Sequence, residues 1–172
     1  MKIAINGFGR IGRLVFRLME EDSYFDVVAV NDLTDPEQLA YLLKYDTNHR
    51  NYEREVTFDD DGIIVDGKKV RVFAEMDPEK LPWKELDVDL VFECTGKFTK
   101  EEEAMKHIVA GAKKVLVSAP CKGDVKTIVY KVNDDIIDSY DKILSAASCT
   151  TNCLAPVVKV LDDNFGIIKG FM

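Results

Sequence analysis

The segment Gly7-Phe8-Gly9-Arg10-Ile11-Gly12 follows a short apolar run, Lys2 to Asn6, and opens a stretch with helical spacing, Arg10 to Met19, carried by Ile11, Leu14, Val15 and Leu18. Each glycine has its own physical reason. Gly7 permits a tight turn, Gly9 lets a pyrophosphate approach the backbone, and Gly12 lets helix and strand pack closely. The first turn of a helix carries unpaired N–H groups, so an anion can be held there without side-chain charge. A second apolar strand, Asp26 to Asn31, ends at Asp32, about twenty residues past the last glycine, where a carboxylate accepts hydrogen bonds from both adenosine ribose hydroxyls and repels a 2′-phosphate. Strand, turn, helix, strand and acid in that order predict a dinucleotide site that prefers NAD to NADP.

The rest of the chain supports the same fold. Val88 to Glu93, Lys114 to Ser118, Thr127 to Tyr130 and Ile143 to Ala146 are short, near-continuous apolar runs, the pattern of parallel strands covered on both faces. Lys100 to Ala110 reads as a crossover helix. Val56 to Ala74 alternates apolar and polar residues around Asp61-Gly62 and Asp66-Gly67, which predicts an antiparallel excursion. The expected class is α/β: a Rossmann-type, doubly wound, mostly parallel sheet with that excursion. Thr95-Gly96 and Ser118-Ala119-Pro120 each follow a predicted strand, so they are either cofactor contacts or ordinary strand-ending turns.

Composition narrows the partners. With 47% apolar residues in 172, the chain can bury a core, and its net charge of −8 repels phosphate backbones, so neither nucleic acid nor an anionic membrane is expected to bind. The opening Met1-Lys2-Ile3-Ala4-Ile5-Asn6-Gly7 turns polar too early for a signal peptide, and no apolar run approaches a bilayer span. A cytoplasmic location follows as the expectation, with the four cysteines as thiols and no spacing that suggests a metal site.

A second site is predicted at the other end. Cys149 to Phe165 has helical spacing through Leu154, Val157, Val158, Leu161 and Phe165, predicting a helix with a buried stripe, bent near Pro156 and stopped at Gly166. Ile167 to Met172 reads as the beginning of another strand. Cys149 sits at the helix start within Ser148-Cys149-Thr150-Thr151-Asn152-Cys153, where unpaired N–H groups and the helix dipole stabilise a thiolate. Ser148 and Thr150 can donate hydroxyl hydrogen bonds to an anionic substrate group. The competing reading of Cys149 is a small buried hydrophobe, the usual fate of a free cysteine. Cys153 lies one turn on, for packing and over-oxidation; Cys94 and Cys121 read as core or loop thiols. The only histidines, His49 and His107, read as solvated or structural, which leaves the thiol without a general base.

Three segments, Ile5 to Arg13, the pair Asn31-Asp32, and Ala147-Ser148-Cys149-Thr150-Thr151-Asn152-Cys153-Leu154-Ala155-Pro156, resemble the phosphorylating glyceraldehyde-3-phosphate dehydrogenases. The resemblance runs from Met1 to Met172 without a large gap. It implies an NAD-binding domain over residues 1–148, and over 149–172 the nucleophile helix and the start of a catalytic domain whose histidine base lies beyond these residues. It implies attack by Cys149 on an aldehyde, oxidation to a thioester and release to inorganic phosphate, with the full-length parent a homotetramer acting on glyceraldehyde 3-phosphate. Asn6, Gly7, Phe8, Gly9, Arg10, Ile11, Gly12, Asp32, Met76, Thr95, Gly96 and Ser118 match the cofactor positions; Ser148 and Thr150 match substrate positions. Met76 stands where the family usually has arginine, so that contact comes from backbone or is absent. Lys97 and Lys131 also depart from the pattern. Erythrose-4-phosphate dehydrogenase shares the cysteine motif, and a catalytically silent NAD-binding module is the other rival. The expectation for these residues alone is NAD binding, self-association and negligible turnover.

Overall fold

A computed structural model describes residues 1–172. The elements are β1 (Lys2–Asn6), α1 (Arg10–Met19), β2 (Asp26–Asn31), α2 (Pro36–Lys44), β3 (Val56–Asp59), β4 (Gly62–Val65), β5 (Lys68–Phe73), α3 (Trp83–Leu86), β6 (Leu90–Glu93), α4 (Glu101–Val109), β7 (Lys114–Val117), β8 (Lys126–Thr127), β9 (Ile143–Ser145) and α5 (Cys149–Phe165). The nine strands form one sheet in the order β3-β4-β5-β2-β1-β6-β7-β9-β8. β3, β4 and β5 pair antiparallel, as the turn signals predict, and every other pairing is parallel.

The chain leaves β1 toward β2 on one side and returns with β6 on the other, so β1 and β6 flank the point where the winding reverses. Ligands bind in α/β sheets at that crevice, beyond the carboxyl ends of the strands. The pleat of β1 explains the two cores: Ile3 and Ile5 face a cluster with Phe8, Phe16, Val30 and Leu43, while Ala4 faces Trp83, Val91, Ala104 and Val115 on the opposite side.

Most expected elements fall where their periodicity places them, with three corrections. The run Thr127 to Tyr130 leaves the sheet after two residues, because Asn133 turns the chain: its Oδ1 accepts from the Val129 amide (2.8 Å) and its Nδ2 donates to the Thr127 carbonyl (2.9 Å). Ile167 to Met172 forms no strand, since it has no neighbouring strand to bond, and Ile168 and Phe171 lie fully exposed. The stripe on α5 is exposed instead of buried: no residue of the helix is buried, and Phe165 is 83% exposed. The helix continues through Pro156. α2, which periodicity alone does not single out, starts at an Asp35 cap bonded to the Gln38 amide (2.8 Å) with Pro36 at its first position.

The uncovered side of α5 has a consequence for the isolated chain. Leu154, Val157, Val160, Leu161 and Phe165, with Ile168, Phe171 and Met172, put a contiguous length of apolar chain in water. Sedimentation should therefore show mass rising above 19.4 kDa as concentration increases; a strictly monomeric species at high concentration contradicts this.

Candidate functional site

The carboxyl ends of β1, β2, β5 and β6 enclose a cleft of about 440 Å³ whose lining includes Asn6, Gly7, Gly9, Asp32, Met76 and Thr95. Its shape follows from the glycines. Gly7 has φ +90°, and a Cβ there would lie 2.7 Å from the Thr95 backbone nitrogen, so only glycine lets the ends of β1 and β6 approach this closely. A Cβ on Gly12 would sit 2.1 Å from the Gly7 carbonyl oxygen, which is the helix-to-strand contact the motif anticipates. At Gly9 nothing lies within 4 Å of where a Cβ would be, and no side chain caps the start of α1. The open face and the free N–H groups of that first turn fit an anionic pyrophosphate.

Asp32 stands beside this turn, its Oδ2 accepting from the Phe8 amide (2.8 Å) and its Oδ1 from the Thr34 amide (3.1 Å). Phe8 itself is buried, its ring edge-on to Phe16 at 5.6 Å, so it offers the site backbone only. Arg10 and Ile11 lie exposed on the first turn of α1. Arg13 Nη1 braces the turn through the Phe8 carbonyl (2.9 Å), and burial lowers its pKa below the ordinary arginine value. Met76 is an exposed rim residue, and Gly96 has φ +70° beside Thr95. Ser118 does not line the cleft; it follows β7, its amide bonded to the Glu93 carbonyl (2.9 Å), next to Cys94.

Burial pushes the Cys94 thiol up to about 11, the neighbouring Ser118 hydroxyl offsetting only part of it, and burial likewise raises Tyr52 to about 12. Both groups hold their protons in the folded state at pH values where the unfolded chain releases them. Their contribution is complete below the unfolded values, 9.0 and 10.0, and is lost as pH rises through the folded ones. Urea unfolding followed by circular dichroism should therefore show stability falling from pH 9 to 11, and a flat or rising profile contradicts it.

Beneath the cleft runs a buried polar network that residue spacing does not reveal. Glu93 and His107 are fully enclosed, 3.0 Å apart, with Asn6 and Asn31 on one side and Trp83 on the other. The only advance signals are a carboxylate ending an apolar strand and a histidine on the inner side of α4. His107 is thus structural, as expected, and His49 is surface-bonded to Asp46.

At the second site Ser148 caps α5, its Oγ accepting from the Thr151 amide (3.0 Å). Cys149 is the first helical residue and is exposed, as is Cys153 one turn later, so neither is a buried hydrophobe. The turn before them is held from behind. Buried Ala147 takes φ +62°, its amide donates to Ser145 Oγ (3.2 Å), and Asn152 Nδ2 donates to the carbonyls of Ala146 (2.7 Å) and Ser148 (2.9 Å). Ser148 and Thr150 share a shallow groove with Leu154 that has no lining residue in common with the cleft beside the glycine turn. Neither histidine bonds Cys149.

A doubly wound sheet with a glycine turn at its switch point and an acid at the end of the adjoining strand defines a dinucleotide-binding domain of the Rossmann class. Comparison with known families gives the particular one. The model described as "Glyceraldehyde 3-phosphate dehydrogenase, NAD binding domain" matches residues 1–101, and "Glyceraldehyde 3-phosphate dehydrogenase, C-terminal domain" matches residues 148–172. The chain belongs to the glyceraldehyde 3-phosphate dehydrogenase family, and NAD is its cofactor. Proteins named glyceraldehyde-3-phosphate dehydrogenase from Clostridium pasteurianum and Clostridium acetobutylicum are each 57% identical over 171 residues, covering 99% of this chain and 51% of the relative. One from Mycoplasma pneumoniae is 56% identical over 173 residues. The chain spans about half the length of the curated relatives it matches. No helix is long and apolar enough to cross a membrane.

Proposed function

We propose that these residues supply the cofactor site and the nucleophile for NAD-dependent, phosphorylating oxidation of glyceraldehyde 3-phosphate to 1,3-bisphosphoglycerate in cytoplasmic glycolysis. The observation that carries the reading is an exposed thiol at the first position of a capped helix, on a chain whose other end is a dinucleotide cradle. The N–H groups of Gly9, Arg10 and Ile11 hold the pyrophosphate, with Gly7 and Gly12 keeping the turn closed beneath it. Asp32 takes the adenosine ribose hydroxyls. Thr95, Gly96 and the backbone at Met76 line the remaining rim, and Ser118 supports it from the next strand.

Cys149 bonds the aldehyde carbon through sulfur and then carries the acyl group as a thioester. Ser148 and Thr150 orient the substrate, Thr150 holding the phosphate that takes up the acyl group. When bound, NAD supplies the hydride acceptor for the oxidation. The general base comes from outside these 172 residues, since His107 is committed to the buried network and His49 to Asp46. We assign the complete protein to a homotetramer.

The test is NADH formation from glyceraldehyde 3-phosphate, NAD and phosphate, for this chain alone and joined to the C-terminal half of a relative. The chain alone should show negligible turnover. The joined protein should be active, and Cys149→Ala should lower its rate roughly 1,000-fold or more. Robust turnover by the chain alone, or faster use of erythrose 4-phosphate by the joined protein, contradicts the reading.

A further inference from the structure

Both lips of the cofactor cleft hang from one hydrogen-bonded chain that ends, outside the cleft, at the single tryptophan. On one lip, Asn31 binds Glu75 at both backbone atoms: its Oδ1 accepts from the Glu75 amide (2.8 Å) and its Nδ2 donates to the Glu75 carbonyl (2.8 Å). The same Nδ2 donates to Asn6 Oδ1 (2.7 Å), and Asn6 Nδ2 donates to Glu93 Oε2 (2.5 Å). On the other lip, Glu93 Oε1 accepts from the Thr95 amide (2.8 Å) and from the Thr95 hydroxyl. The network is closed by His107 Nε2, 3.0 Å from Glu93 Oε2.

The directions of these bonds are fixed by chemistry. An indole N–H can only donate, so the bond from Trp83 Nε1 (2.9 Å) makes His107 Nδ1 an acceptor and places the imidazole proton on Nε2. The Nε2 proton is thereby aimed at Glu93 Oε2, 3.0 Å away. Glu93 accepts at each of these contacts. Glu93, His107, Asn6 and Asn31 are all buried, which makes any unmade bond costly and the arrangement all-or-none.

We propose that His107 is a positioning residue for the cofactor site: through Glu93 it sets Thr95 on one lip, and through Glu93, Asn6 and Asn31 it sets Glu75 on the other. His107 does not line the cleft, and the residue acts only through the others. The proposal rests on the cleft being the NAD site.

The experiment compares wild type, His107→Leu and His107→Gln by amide hydrogen exchange and by calorimetric titration with NAD. Leucine removes both nitrogens. Glutamine can still accept from Trp83 and donate to Glu93. In His107→Leu, protection at the Glu75 and Thr95 amides should fall together by about tenfold, while the Tyr52 amide, bonded to the Lys44 carbonyl outside the network, keeps its protection. NAD binding should weaken about tenfold, and His107→Gln should return within about threefold of wild type on both readouts. Should His107→Leu not fold, Trp83→Phe takes its place, since it frees the imidazole proton to move to Nδ1 and should shift both amides in the same direction. A folded variant with both amides unchanged, a loss shared equally by Tyr52, or altered amides with unaltered NAD affinity each overturns the positioning role. Absence of NAD binding by wild type overturns the cofactor reading itself, and exchange still reports whether the network couples the lips.

Discussion

Replacing Gly12 by alanine is expected to cost about 3 kcal/mol or more of stability, enough to unfold much of the population. The added methyl would lie 2.1 Å from the Gly7 carbonyl oxygen and 3.2 Å from Ile5 Cγ2, so backbone must move, and the glycine turn moves with it. Gly9→Ala is the informative partner. A methyl at Gly9 meets nothing within 4 Å, and the residue's φ of −71° suits alanine, so stability should change by no more than about 1 kcal/mol. The same methyl nevertheless stands where the pyrophosphate is proposed to approach, and NAD affinity should fall. Urea denaturation beside NAD titration separates the two: equal destabilisation by both substitutions contradicts the separate roles given to these glycines.

Asp32→Ala carries the second large effect. The carboxylate has two backbone partners, Phe8 and Thr34, and is proposed to hold two ribose hydroxyls. Hydrogen bonds to a charged group contribute about 1.5–3 kcal/mol, so NAD should bind roughly 10- to 100-fold more weakly. Removing the negative charge also removes repulsion of a 2′-phosphate, so the ratio of NADP to NAD affinity should rise. Unchanged NAD affinity in the folded variant would mean that Asp32 serves only its two backbone partners, the Phe8 and Thr34 amides.

The part of this molecule legible in the sequence is the part governed by local rules. Gly7 and Gly12 announce themselves because each answers a backbone constraint within one strand-turn-helix-strand unit, Gly9 and Asp32 stand out by their places in that unit, and α5 begins at Cys149 because Ser148 is a good cap. The network under the cleft was not legible, because its members come from β1, β2, α3, β6 and α4 and meet only when the sheet is wound. Asn6 could be named for its place before the glycines, yet nothing local says that its amide reaches Glu93, 87 positions away. Periodicity also misjudged burial on α5. Leu154, Val157 and Leu161 have the spacing of a packed stripe, but spacing specifies a face and not what covers it, and these residues contain no element that does. The run after Thr127 failed for a different reason: the Asn133 side chain competes for the backbone groups a longer β8 would need.

The direct test of the account is calorimetric titration of the 172-residue chain with NAD and, separately, with NADP. Saturable binding of one NAD per chain, with NADP clearly weaker, is the predicted result. No saturable heat with NAD, or NADP binding as tightly, contradicts the claim that the turn at Gly7 to Gly12 and the carboxylate of Asp32 form a single NAD site.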